Sequence, residues 1–295
     1  MPPSHQPGKV GAWANAGAEQ EFRRIEDELR AELWPGGLHD ITVDGEHGTT
    51  HLYHRPGTGP PLVLLPGRGA PGLMWRPELV AQLGTRPVYL VDTIGDVGRS
   101  VQKVAIDEPA ALVRWLDDVL AALDVGPVDL AGASYGGWVV LNQAVRSPER
   151  LRSIALVGPV GLAELSKRRF LLWGIACGLA AMAPDPLRRR AAVRLRQGAL
   201  TDARARRIGR MAYTKHRFNL PRPGVVTDDQ LRSVTLPALV LLAERSEVHD
   251  PVLAQERAMS YLADVEVELV PGAGHSLPVD QAEQVGRRLA AFLAP

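Results

Sequence analysis

"VDLAGASYGGWVVLNQA", residues 128–144, carries an apolar run into a glycine-flanked serine and out again into a helical pattern. Residues 128–134 predict a strand and residues 136–151 open a helix. A serine at such a junction sits in a sharp, strained turn that lifts its hydroxyl above a sheet. Gly132 and Gly136 let strand and helix approach closely, and the backbone N–H of Tyr135 points into the same space at the helix start. Gly-x-Ser-x-Gly arises by chance in a chain with 29 glycines. The strand before it and the helix after it make Ser134 a candidate nucleophile.

On both sides the chain alternates strand and helix. "PLVLLPG" (61–67) and "RPVYLVDTIG" (86–95) are short continuous apolar runs, as expected of strands covered on both faces. Residues 108–125 predict an amphipathic helix with Leu112, Trp115, Leu116, Val119 and Leu123 on one side. Residues 152–160, 236–244 and 265–275 predict further strands, and 279–293 a closing helix. Repeated β–α units imply an α/β fold with a mostly parallel central sheet flanked by helices. Upstream, Phe22, Ile25, Leu29 and Leu33 have helical spacing, Pro35-Gly36-Gly37 stops that helix, and 41–43 with 49–53 read as a hairpin. Residues 1–17 are expected to be loosely attached. Residues 161–230 show no strand, only helical runs separated by Pro184, Pro186, Pro221 and Pro223, and read as an inserted helical cap. The expected organisation is an N-terminal extension and helix (1–37), a core from 38–160 and 231–295, and the cap (161–230).

Composition narrows the function classes. The chain has 295 residues, 45% apolar and 23% charged, with a formal charge of +1, which gives no broad electrostatic case for nucleic acid. A single Cys177 excludes an internal disulfide and a cysteine-based metal site, and reads as a buried cap residue rather than a nucleophile. The first residues lack the order of a signal peptide, and the longest apolar stretch, 170–183, is shorter than the roughly 18 residues of a spanning helix. A cytoplasmic protein with no integral membrane span is expected; a homodimer is left open.

A serine hydroxyl needs a base, a group orienting that base, and donors where an oxyanion forms. The second oxyanion donor belongs in the loop after the first buried strand, where Pro66-Gly67-Arg68-Gly69 offers the Arg68 backbone N–H beside that of Tyr135. The base belongs after the last strand, where "PGAGHSLP" (271–278) places His275, 141 residues beyond Ser134. The other seven histidines carry no such context.

Four blocks, "LVLLPGRGAPGLMW" (62–75), "VYLVDTIGDVGRS" (88–100), "VDLAGASYGGWVVLNQA" (128–144) and "VELVPGAGHSLP" (267–278), resemble the α/β-hydrolase superfamily. "VDTIGDVGRS" and "TDDQLRSVTLPALVLLAE" (227–244) are most similar to capped bacterial serine carboxylesterases. The resemblance implies an ester substrate, an acyl-enzyme, and neither cofactor nor metal. Pro66-Gly67 replaces the usual His-Gly, a tolerable change because the donor is a backbone N–H one residue on. Relatives place an acid three residues beyond a glycine after the penultimate strand, and a gapless reading of "ALVLLAERSEVHDP" puts Ser246 there. A serine cannot hold an imidazolium with a full charge. Glu244, Glu247 and Asp250 are the nearby carboxylates. Asp250 is preferred because it needs no register change in the strand, with Glu247, one residue out of register, as the alternative. Asp92 and Asp96 are expected to fix their loop rather than react.

The cap holds 15 Lys and Arg against 5 Asp and Glu. This excess suits an anionic substrate or surface, or simply solvated helix faces. Within it "FLLWGIACGLAAMA" (170–183) is apolar all round, and its expected use is to roof a hydrophobic acyl or ring pocket. The expected function is a serine hydrolase acting on a small-molecule carboxylic ester. A lyase, cyclase or acyl-transfer step on the same fold is one alternative, and a ligand-binding protein with a decayed site is the other.

Overall fold

In the computed structural model, which describes residues 9–294, the apolar runs form the middle of one twisted sheet. Its principal strands are β1 (His39–Gly45), β2 (Gly48–Arg55), β3 (Leu62–Leu65), β4 (Val88–Val91), β5 (Val128–Ala133), β6 (Leu151–Val157), β7 (Ala238–Ala243) and β8 (Val265–Val270). They lie in the order β8-β7-β6-β5-β3-β4-β2-β1. β3 to β8 are parallel to one another, while β2 runs antiparallel to β1 and β4. Every residue of β3, β4 and β5 is buried, as expected of strands covered on both faces, and Asp129 of β5 is paired there with Arg86.

The two faces bury different residues of the same strands. Val63, Leu65 and Leu130 pack on one side with Leu112, Trp115 and Val119 of α2 (Pro109–Leu123) and Val139 and Val140 of α3 (Tyr135–Arg146). Leu62, Leu64 and Ala131 pack on the other with Phe22, Ile25 and Leu29 of α1 (Ala16–Leu33). Side chains alternate across the pleat, so each run fills two cores.

The N-terminal segment is better anchored than its composition suggests. Residues 1–8, part of the stretch expected to be loose, lie outside the described residues. From Gly11 onward the chain is held. Gly11 N–H donates to Gln102 Oε1 at 2.5 Å, Trp13 packs on Phe22 with ring centroids 4.5 Å apart, and Asn15 caps α1 through Ala18 N–H. Ala12–Trp13 also pairs antiparallel with His216–Arg217, so the expectation of no strand within 161–230 is corrected by a two-residue one. Helix α1 therefore completes the second face of the sheet rather than extending from it. Its Glu26 is fully buried 3.4 Å from the Arg99 guanidinium. Burial first, then the charge of Asp92, pushes its carboxyl well above the usual range.

Between β6 and β7 the chain runs through α4 (Lys167–Met182), α5 (Asp185–Arg194) and α6 (Ala203–Lys215). α7 (Pro251–Tyr261) follows β7, and α8 (Ala282–Phe292) closes the chain. Leu171, Leu172, Ile175, Leu179 and Met182 of α4 are all exposed. The expectation that segment 170–183 roofs a pocket is therefore not met by these large side chains, because the helix packs through its small ones instead. No described helix is long and apolar enough to cross a membrane.

Candidate active site

β5 delivers Ser134 into a backbone conformation that few residues adopt, with φ 50° and ψ −109°. Its neighbours leave no room for side chains. A Cβ on Gly132 would lie 2.3 Å from the Gly136 carbonyl carbon, and one on Gly136 would lie 2.4 Å from Leu65 O. The turn is held by Ser134 N–H donating to Val157 O at 3.0 Å, and by Trp138 and Val160 N–H donating to Ser134 O. Gly136→Ala is expected to destabilise the fold by about 1–3 kcal/mol by forcing α3 away from the loop after β3. A thermal melt measures this, and an unchanged melting temperature would show that the contact yields freely.

His275 lies in the turn after β8, with its Nε2 2.9 Å from Ser134 Oγ. The two residues singled out at long separation are thus brought within hydrogen-bond reach. Burial, reinforced by neighbouring His249, pushes the imidazole down to about 4, so the ring is neutral and able to accept a proton near pH 7. Its turn is tied back by Gly272 N–H donating to Glu244 Oε2 at 2.7 Å.

The orienting carboxylate is where the structure departs from the preferred reading. Asp250 is the N-cap of α7, and its Oδ1 accepts from Val252 N–H at 3.0 Å and Leu253 N–H at 3.2 Å. Its side chain serves the helix that Pro251 opens, and the structure does not bring it to His275. Ser246, at the gapless acid position, is buried and accepts Val248 N–H through Oγ. His275 Nδ1 and Glu247 Oε2 are both buried without a hydrogen-bond partner. The Glu247 carboxylate is approached by the backbone N–H groups of Glu247 itself and of His275. Burial raises its pKa against the pull of those donors and of Arg196 and Arg169.

The loop after β3 passes directly beside Ser134, since a Cβ on Gly67 would stand 3.5 Å from Ser134 Cβ. Arg68 therefore lies next to the serine, and Tyr135, as the first residue of α3, has a backbone N–H with no intrahelical acceptor. The loop is fastened from behind by Asp96, whose buried carboxylate accepts Gly69 N–H at 3.0 Å and Val97 N–H at 2.7 Å. Burial pushes Asp96 up to about 7 despite these donors. Asp92 holds the neighbouring turn through Gly72 N–H, Arg99 N–H and His51 Nδ1.

Three participants escape a reading by motif. The Arg68 side chain stands 4.9 Å over the Phe218 ring, and its Nε and Nη2 are buried without hydrogen-bond partners. His249 is buried and bonds Pro159 O through Nε2 at 2.9 Å, joining the loop after β7 to the end of β6. Asn219, from 161–230, accepts from Gln102 Nε2 and Ile106 N–H and so ties that segment to the loop after β4. None of these side-chain roles carried a signal in the sequence, although His249 stands within one residue of the candidate acid Asp250. Among the described residues, no cluster of His, Cys, Asp and Glu is arranged to hold a metal ion.

The architecture has close counterparts. The chain is 29% identical over 300 residues to carboxylesterase YbfK of Bacillus subtilis (strain 168), covering 92% of this chain and 96% of that one. It is 29% identical over 275 residues to the uncharacterized carboxylesterase nap of the same organism, covering 88% of each. The crystal structure of naproxen esterase from Bacillus subtilis superposes with a TM-score of 0.80 at 27% identity over 95% of this chain and 99% of that one. That of carboxylesterase CesB (YbfK) gives 0.78 at 26% identity, with the same coverage. A model of the alpha/beta hydrolase family matches residues 62–288, a span that runs from β3 into α8 and holds both Ser134 and His275, and the chain belongs to that family.

Proposed function

We propose that the protein hydrolyses a carboxylic ester of a small molecule through an acyl-enzyme on Ser134. The observation that carries this reading is the 2.9 Å approach of His275 Nε2 to Ser134 Oγ at a strained strand–helix turn. The carboxylesterase relatives support it.

As Ser134 Oγ attacks the ester carbonyl, His275 Nε2 takes its proton. The carbonyl oxygen becomes an oxyanion received by the backbone N–H groups of Arg68 and Tyr135. Collapse expels the alcohol, which takes the proton back from His275 and leaves Ser134 acylated. Water then attacks the acyl carbon, giving up a proton to His275, and the carboxylic acid departs as Ser134 recovers its hydrogen.

Glu247 is the orienting acid in this scheme. Its Oε2 and the His275 Nδ1 are both buried without a partner, and a hydrogen bond from Nδ1–H to that oxygen would satisfy two buried polar atoms at once. Segment 161–230 forms a cap over this site. Incubation with a fluorophosphonate probe is expected to label Ser134, as read by peptide mass spectrometry. An unlabelled Ser134 in folded protein would overturn the scheme.

A further inference from the structure

Helix α4 is built inside out. Ala176, Cys177 and Ala180 turn toward the protein, whereas Leu171, Leu172, Ile175, Leu179 and Met182 recur at helical spacing on the outside. Leu172, Leu179 and Met182 are 57%, 67% and 86% exposed. A helix face in water carries polar residues, yet no charged residue occurs between Arg169 and Asp185. Helix α5 adds Leu187 and Val193, 55% and 81% exposed. α4 and α5 pack through Ala180 and Ala192, so these side chains belong to one body. Exposed apolar surface of this extent marks an interaction site.

The charges around it identify the partner. Lys167, Arg168 and Arg169 occupy the first turn of α4, and Arg189, Arg190 and Arg194 lie on α5. All six are exposed. Cations in a first turn oppose the helix dipole, so the stability of α4 itself does not account for them. A second copy of the chain seated on this face would bring like charges together. An anionic lipid surface would take the apolar side chains into its acyl boundary and meet the cations with phosphates.

We propose that the outer face of α4 and α5 docks the protein on anionic lipid membranes. The docking is a surface attachment that does not depend on the ester chemistry. It is carried by the segment that touches the His275 turn, where Gln197 meets Ser276 Oγ and Gly198 N–H donates to Asp280.

Co-sedimentation of the full chain with vesicles tests this. Vesicles of phosphatidylcholine with about one third phosphatidylglycerol are expected to bind at least about tenfold more strongly than phosphatidylcholine alone, and binding should fall as salt is raised. The double variant Leu172→Glu/Leu179→Glu changes exposed positions only. It is expected to lose vesicle binding while keeping its turnover of a soluble short-chain ester. Absence of binding to the anionic vesicles, or undiminished binding by that variant, would overturn the proposal. So would a dimer in solution that Leu172→Glu/Leu179→Glu converts to monomer, because the face would then belong to a second copy. Vesicle binding is read without any substrate, so failure of the esterase reading leaves this outcome unaffected.

Discussion

Ser134→Ala is expected to lower kcat for ester hydrolysis by about 10⁴- to 10⁶-fold, with the melting temperature close to that of the wild type. The size follows from the role proposed for the hydroxyl. In that mechanism no acyl-enzyme forms without Oγ, and only the oxyanion donors and substrate positioning would remain to help water attack directly. The fold should tolerate the change because the turn is held by backbone hydrogen bonds of residue 134, which alanine keeps. His275→Ala should cost a similar factor, since a serine with no base within reach stays protonated. The decisive measurement is the double variant. Two groups 2.9 Å apart that act as one device lose their function once, so Ser134→Ala/His275→Ala should be no slower than either single variant. Losses that multiply would show that the two residues act independently and would sink the proposed mechanism.

Some parts of this site are written locally in the sequence and others are not. Ser134 and His275 are legible because each sits in a short pattern of strand, glycine, polar residue and turn that has few other uses. The parallel sheet is legible because its strands are short, largely apolar runs alternating with helical patterns, with β3, β4 and β7 wholly apolar. The acid is not, because "ERSEVHD" (244–250) packs several polar groups into one loop and only the hydrogen bonds of that loop sort them. Glu244 goes to Gly272 N–H, Ser246 to Val248 N–H and Asp250 to the start of α7. The last of these had a readable sign, since an aspartate followed by proline is a common way to begin a helix.

The outlying segments were obscure for a different reason. α1 shows its period, but nothing in the period says that the helix will bury Glu26 against Arg99 and Asp92 on the sheet's second face. Residues 170–182 of α4 are apolar all round, so a sequence pattern cannot choose an inward side. The choice is made by size: small residues allow close packing against Ala192 and Leu200, and the large ones are left outside.

Glu247→Gln is expected to lower kcat/KM by about 10²- to 10⁴-fold and to move its acid limb downward. An ionised carboxylate accepting from Nδ1–H favours the imidazolium, so pairing with Glu247 raises the pKa of His275. Gln cannot supply that charge, and burial then holds the imidazole near the value of about 4 that it has with Nδ1 unpartnered. Protonated His275 cannot act as base, so the pH below which activity is lost follows that pKa, and the limb of the variant should approach pH 4 while its plateau falls. Both changes are needed for the assignment. A lower plateau alone is what a distorted loop would produce, whereas a displaced limb reports a lost charge beside the ring. Asp250→Asn is the control, because its carboxylate is engaged with Val252 and Leu253 N–H. It should cost at most about 1 kcal/mol of stability through a weakened cap, with plateau and limb close to those of the wild type. If instead Asp250→Asn drops the plateau by orders of magnitude and shifts the limb while Glu247→Gln does neither, the orienting charge belongs to Asp250, and α7 must give up its cap when substrate binds.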